Sequence, residues 1–208
     1  MFTGIVQGIG RIYSIDDHDG LRTLAIDFPE GFCDGVSIGA SVAVDGVCLT
    51  VTGILSPSRL SFDIIQQTLT VTTLGLFGVG QAVNVERSAK GGAEIGGHIV
   101  SGHIDFRANV DSVSIMDGNK VVRFTVPPAF MPYIFTKGFI AVNGCSLTVS
   151  DSDRAANWFE VWLIPETRRV TTFEEKKAGD QVNVEIERQT QIIVDTVRAT
   201  VHEMMAKS

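Results

Sequence analysis

Apolar and polar residues alternate with a period of two through most of this chain, the signature of strands with one face buried. The clearest case places Val47, Leu49 and Val51 on one face and Cys48 and Thr50 on the other. The apolar runs are punctuated by turn-forming pairs: Asp19-Gly20, Asp45-Gly46, Pro57-Ser58, Asp117-Gly118 and Asn143-Gly144. Asp45-Gly46 and Asn143-Gly144 predict two-residue hairpins, because both central positions of a type I′ turn need a positive φ. From Thr190 to Met205 the pattern changes. Val194, Val197, Val201 and Met204 fall at spacings of 3, 4 and 3, which predicts one helix. Its stripe could pack on its own barrel or against another copy of the chain.

The strand-like part repeats itself. Phe62 to Glu86 aligns with Val161 to Glu185 at a shift of 99, with 10 of 25 positions identical. Val42–Val51 aligns with Ile140–Val149 at a shift of 98, and Ile5-Val6-x-Gly8 matches Ile99-Val100-x-Gly102 at a shift of 94. A period near 98 suits two whole domains rather than a solenoid. Several short strands in each half predict an all-β fold of two tandem barrels or sandwiches. The expected divisions are 1–90, 91–188 and a helical tail, 189–208.

Composition narrows the function. Net charge is −7, with a pI near 5.0, and no Lys/Arg run exceeds two residues. A phosphate-reading protein needs a basic footprint, so no nucleic-acid partner is expected. Cys33, Cys48 and Cys145 have neither disulfide nor zinc spacing, and free thiols fit a reducing compartment. With no signal-peptide pattern and no apolar run of about 20 residues, the cytoplasm is the expected location, away from membranes.

Candidate chemistry gathers at repeated strand positions. Cys48 and Thr50 in the first half correspond to Ser146 and Thr148 in the second. His98 and His103 lie among small residues in Gly96–His103, where an imidazole suits general acid–base work. At the shift of 94 their counterparts are Gly4 and Ile9, so the halves differ chemically. No third ligand accompanies the histidines, so no metal is expected. Lys137, opposite Gly39 in the first half, could stabilise an anion at a pocket mouth.

These motifs together resemble the riboflavin synthase family of duplicated lumazine-binding barrels. The resemblance rests on Met1-Phe2-Thr3-Gly4-Ile5-Val6, Gly46-x-Cys48-Leu49-Thr50-Val51, Glu94–His98, Ser101-Gly102-His103, Lys137-Gly138-Phe139, Ser146–Val149 and Leu163–Thr167. It runs from Met1 to about Val197. It implies two six-stranded Greek-key barrels plus the C-terminal α-helix, assembled as a homotrimer through that helix. It also implies active sites between the N-terminal barrel of one subunit and the C-terminal barrel of its neighbour.

The implied reaction moves a four-carbon unit between two molecules of 6,7-dimethyl-8-ribityllumazine. The products are riboflavin and 5-amino-6-(ribitylamino)uracil, made without metal or other cofactor. Carried over by position, one pocket comprises Gly4, Ile5, Val6, Cys48, Leu49, Thr50 and Phe62, Asp63, Ile64, Ile65, Gln66 and Gln67. The other comprises Ser101, Gly102, His103, Lys137, Ser146, Leu147, Thr148 and Val161, Trp162, Leu163, Ile164, Pro165 and Glu166. His103 would relay protons, Cys48 and Ser146 would attack or polarise, and Ser41 and Phe2 would shape the site. His98 is a second acid–base candidate. Glu187 stands where the family tends to carry Asp, so its carboxylate reaches one methylene further. A rival reading is a non-catalytic lumazine or flavin carrier on the same fold.

Overall fold

The computed structural model describes residues 1–207. Its first half folds as β1 (Gly8–His18), β2 (Leu21–Asp27), β3 (Ser41–Val44), β4 (Val47–Ser56), β5 (Arg59–Ile65), α1 (Gln66–Val71) and β6 (Ala82–Arg87). The second half gives β7 (Phe106–Met116), β8 (Asn119–Thr125), β9 (Phe139–Val142), β10 (Cys145–Asp153), β11 (Trp158–Leu163), α2 (Pro165–Val170) and β12 (Gln181–Ile186). The tail is a single helix, α3 (Arg188–Ala206).

Each half closes into a six-stranded antiparallel barrel, ordered β1-β2-β5-β4-β3-β6 and, in the second, β7-β8-β11-β10-β9-β12 around the ring. Closure requires sharply coiled strands, and bulges supply the bend at matching places: between Ile12 and Ser14 in β1 and between Val110 and Ser112 in β7. Both predicted hairpin turns have positive φ at their two central residues, 43° and 81° at Asp45-Gly46 and 43° and 77° at Asn143-Gly144. The alternation read from sequence is physical: Leu24, Val42, Val51, Phe62 and Val83 fill the first barrel, and Val122, Phe124, Phe159, Leu163 and Val184 fill the second.

Strand positions correspond at a shift of 98 up to the β4–β5 and β10–β11 hairpins and at 99 beyond them, since Val51 pairs with Phe62 but Val149 with Val161. The opening segments follow the shift of 98 as well. Phe2 bridges Val100, and Thr3 and Ser101 make the same contacts with Glu86 and Glu185. The expected correspondence at 94 is therefore wrong. The short Ile-Val-x-Gly match is a coincidence, His103 corresponds to Ile5, and His98 precedes anything in the first copy.

The barrels meet about a local twofold axis. Gly46 and Gly144 touch there, each so close to the other's backbone that a side chain would fit on neither, at 2.6 and 2.9 Å from the nearest atom. Asn84 donates to the Asn143 carbonyl (3.0 Å) and accepts from the Thr172 amide (2.8 Å); Asn183 donates to the Asp45 carbonyl (2.9 Å) and accepts from the Thr73 amide (2.7 Å). Phe2, Val100, Ala43 and Ala141 form a small apolar core over the seam. Helix α3 leaves the second barrel and presents Ile193, Val197, Val201 and Met204 to solvent.

Candidate functional site

Strands β4 and β10 carry the paired candidates, and their geometry follows from the hairpins that precede them. Leu49 and Leu147 point into the barrels; Cys48 and Ser146 point outward and are half-buried; Thr50 and Thr148, one pleat on, are exposed. Ser41 lies opposite Thr50 on the same face, next to Cys48, and Phe139 holds that place beside Ser146. Of the three thiols, Cys33 and Cys145 are buried and burial pushes the Cys145 thiol up to about 12; only Cys48 offers sulfur to a ligand.

The chain's opening segments cover these strands crosswise. The Ser146 amide donates to the Gly4 carbonyl (2.8 Å), and the Cys48 amide donates to the Gly102 carbonyl (2.9 Å). Thus Gly4 and Ile5 lie on the second barrel and Val6 enters its core, while Ser101, Gly102 and His103 lie on the first barrel and Ile104 packs against its core. The sequence-based grouping paired them the other way round. His103 belongs with Cys48, and Ile5 with Ser146.

Two buried carboxylates hold the crossing in place, and sequence reasoning passed over both. Glu86 accepts from the Thr3 amide and hydroxyl (2.7 and 2.8 Å) and the Gly4 amide (3.1 Å). Glu185 accepts from the Ser101 amide and hydroxyl (2.7 Å each) and the Gly102 amide (2.8 Å). Burial raises the Glu86 carboxyl above its ordinary value, against the pull of those donors. Their signal was present in the repeated Val-Asn-Val-Glu, which had served only to align the halves.

The two faces differ in their histidines. His98 is buried, with Nδ1 2.6 Å from Ser146 Oγ and its ring stacked on Phe139 at 5.4 Å. Burial lowers the His98 pKa, with Glu187 pulling it back up, so the ring is neutral at pH 7 and keeps one nitrogen as an acceptor. Glu187 caps α3, accepting from the Gln189 and Thr190 amides and the Thr190 hydroxyl. Burial opposes its charge, but these donors and nearby His98 outweigh that and hold the carboxyl below its usual range. His98 and Ser146 thus form an imidazole–hydroxyl pair on the second barrel, and the Glu187 charge acts on that imidazole through space alone. On the first barrel Cys48 lies against buried Gly102, and the adjoining His103 is exposed.

A model of the lumazine-binding domain matches this chain twice, over residues 3–88 and 101–187. The chain belongs to the lumazine-binding domain family. Among its relatives in that family, the riboflavin synthase of Escherichia coli (strain K12) is 48% identical over 198 residues, covering 95% of this chain and 92% of that one. Crystal structures of LumP, one with riboflavin and one with 6,7-dimethyl-8-(1'-D-ribityl) lumazine, superpose with TM-scores of 0.83 and 0.80. Both are 29% identical and cover 90% of this chain, and 100% and 99% of LumP.

The lumazine-binding domain's remaining candidates sort by orientation. Asp63, Ile65, Gln66 and Gln67, and Trp162, Ile164, Pro165 and Glu166, are exposed at the ends of β5 and β11. Phe62, Ile64, Val161 and Leu163 point inward, so only their backbone can meet a ligand; Phe2 is sealed in the seam. Lys137 is exposed and has φ 68°, a left-handed conformation its counterpart Gly39 adopts freely at 88°. Clefts of about 560 and 610 Å³ lie at Asp17–Arg22 with Gln66 and at Thr3, Ile5, Glu86 and Gly96; they take in the candidates Gln66 and Ile5 but not Cys48, Thr50, Ser146, Thr148 or His103.

Proposed function

We propose that this chain acts as a riboflavin synthase, transferring four carbons between two molecules of 6,7-dimethyl-8-ribityllumazine to yield riboflavin and 5-amino-6-(ribitylamino)uracil. The observation that carries the reading is the His98–Ser146 pair, 2.6 Å apart, with Glu187 acting on His98. The 7-methyl group of the heterocycle must lose a proton, and a neutral buried imidazole bonded to a hydroxyl is a base positioned for that task. Ser146 bridges ring and imidazole. Lys137 and Thr148 hold the second-barrel heterocycle, and its Trp162–Glu166 stretch lines the pocket.

On the first barrel Cys48 supplies the nucleophile and His103 the proton relay, with Ser41, Thr50 and Asp63–Gln67 around the second heterocycle. Thr50 and Thr148 are exposed on these faces in one chain, and a pair of stacked rings is enclosed between them only when the first barrel of one subunit meets the second barrel of its neighbour. A homotrimer joined through α3 provides that meeting. Holding both rings together before reaction removes most of the entropic barrier to a bimolecular step. No cofactor enters the scheme, and the cytoplasm supplies the reducing surroundings Cys48 needs.

Incubating the purified protein with the lumazine alone tests this. Riboflavin should appear, with half a molecule formed per lumazine consumed. A stable bound chromophore without product would make the chain a carrier, as the likeness to LumP allows.

A further inference from the structure

We propose that Arg188, the first residue of α3, is a positioning residue that fixes the His103 segment over Cys48. Its guanidinium makes three hydrogen bonds, and its Nε lies 4.0 Å from Oε1 of Glu185, the carboxylate that holds Ser101 and Gly102. Nη2 donates to the His103 carbonyl, and Nη1 donates to Asp105 Oδ1 (2.8 Å) and to Gln191 Oε1 (2.6 Å), the last within the helix. Asp105 is anchored in turn, because its Oδ2 accepts from the Ile186 amide at the end of β12 (2.7 Å). The Asp105 side chain is only 11% exposed and that of Arg188 34%, so the pair is shielded on one side and keeps a fixed geometry.

The first half lacks this device. Gln7 stands where Asp105 stands and accepts from the Arg87 amide (3.0 Å), repeating the strand contact alone. Ala89 stands where Arg188 stands, with neither charge nor donor on its side chain. Ile5, the counterpart of His103, has no proton to move. The extra ion pair therefore appears only where the opening segment ends in an imidazole. It also ties that imidazole to the helix, since the residue that grips the His103 carbonyl starts the same helix whose cap, Glu187, acts on His98.

This inference rests on the proposed synthase activity, and the test separates the two. Turnover of the lumazine is measured for wild type, Arg188→Gln, Arg188→Lys and Asp105→Asn. Alongside it, amide hydrogen exchange of Ser101–Ile104 and the His103 imidazole signals are followed by NMR. Arg188→Gln should lower kcat about ten- to a hundredfold, the range for small misplacements of reacting groups, with KM within about twofold. Exchange at Ser101–Ile104 should quicken while exchange in the barrel strands does not. Lysine should restore part of kcat, because it keeps the charge opposite Asp105 but cannot also reach the His103 carbonyl in a fork. If Arg188→Gln does not fold, Asp105→Asn carries the same readings. Unchanged exchange and imidazole signals overturn the inference whether or not the protein turns over. A wild type without turnover but with altered exchange in the variants sinks the synthase reading and leaves Arg188 as the anchor of the segment.

Discussion

Gly102 sits so close over Cys48 that a β-carbon on it would lie 2.5 Å from the Cys48 β-carbon, and its φ of +84° is left-handed. Gly4 repeats the relationship with Ser146 at 2.6 Å and φ +74°. The absence of a side chain at these two positions is what lets each opening segment lie flat across the other barrel's strand.

Gly102→Ala should therefore lose stability twice over, about 1–2 kcal/mol from the left-handed backbone and more from the clash. Gly39→Ala, at φ +88° but with open space around it, should show the backbone part alone. Denaturant unfolding of the two variants measures the difference. Gly102→Ala should also lose most of its turnover, because Cys48 is displaced. Equal losses of stability would mean that the close approach is not a constraint.

The rate should fall on the acid side at a pH below the ordinary imidazole value near 6.5, because burial lowers the His98 pKa and its neutral form is the base. Glu187 opposes that lowering, so Glu187→Gln should move the acid limb further down; a carboxamide still accepts from the helix amides and can keep the cap. The pH profile of kcat/KM decides it. A limb that stays put, or moves up, removes Glu187 from the electrostatics of His98.

Much of this was legible from residues. The two Asx-Gly turns, the alternation around Cys48 and Ser146 and the repeated Val-Asn-Val-Glu located both barrels and both reactive strands, because each is a local pattern. The crossing of Gly4 and Gly102 was not. Nothing local to Thr3-Gly4-Ile5 states which barrel it lies on. That is decided by Glu86, more than 80 residues away, and by a carbonyl that only the folded strand presents. The false match at a shift of 94 arose for the same reason, four residues being too few to outweigh chance without the contacts. Glu187 is the opposite case. Its place was read from a family pattern, but its work as a helix cap needed the helix start, which begins two residues earlier than the apolar stripe suggested.

Asp45 and Asn143 occupy equivalent turns, and the Oδ1 of each accepts from the amide of Asn84 or Asn183 at 2.7 Å. Burial raises the Asp45 carboxyl from its ordinary value of 3.8 to about 6, against the pull of the Asn84 amide and Lys176. A raised folded value means the carboxyl contributes stability fully below about 3.8 and loses it as pH climbs through 6. At neutral pH the buried charge costs on the order of 3 kcal/mol. Asp45→Asn removes that dependence, but its carboxamide nitrogen goes unpaired, as Asn143 Nδ2 does among the described residues, at a cost of about 1–3 kcal/mol. The stability difference, variant minus wild type, should rise between pH 4 and 6 and level off above. Parallel curves would mean Asp45 is charged in the fold throughout.

The assembly is tested on α3, where Ile193, Val197 and Val201 are 62%, 56% and 49% exposed and follow one another at spacings of 4, so they share a face. Hydrophobic side chains in such a row are costly to leave in water, about 25 cal/mol per Å² of apolar surface, and three helices brought together would bury them. Val197→Glu should break that contact. Because the side chain is exposed in the single chain, the barrels should unfold at the same denaturant concentration once both proteins are compared as single chains. Light scattering should show the wild type as a trimer and the variant as a monomer, with turnover reduced at least tenfold, since the Cys48 and Ser146 faces then meet no neighbour. A variant that is monomeric yet fully active would place a complete site within one chain. A wild type that is already monomeric at assay concentration and active would do the same, and in either case the shared pocket would have to be abandoned.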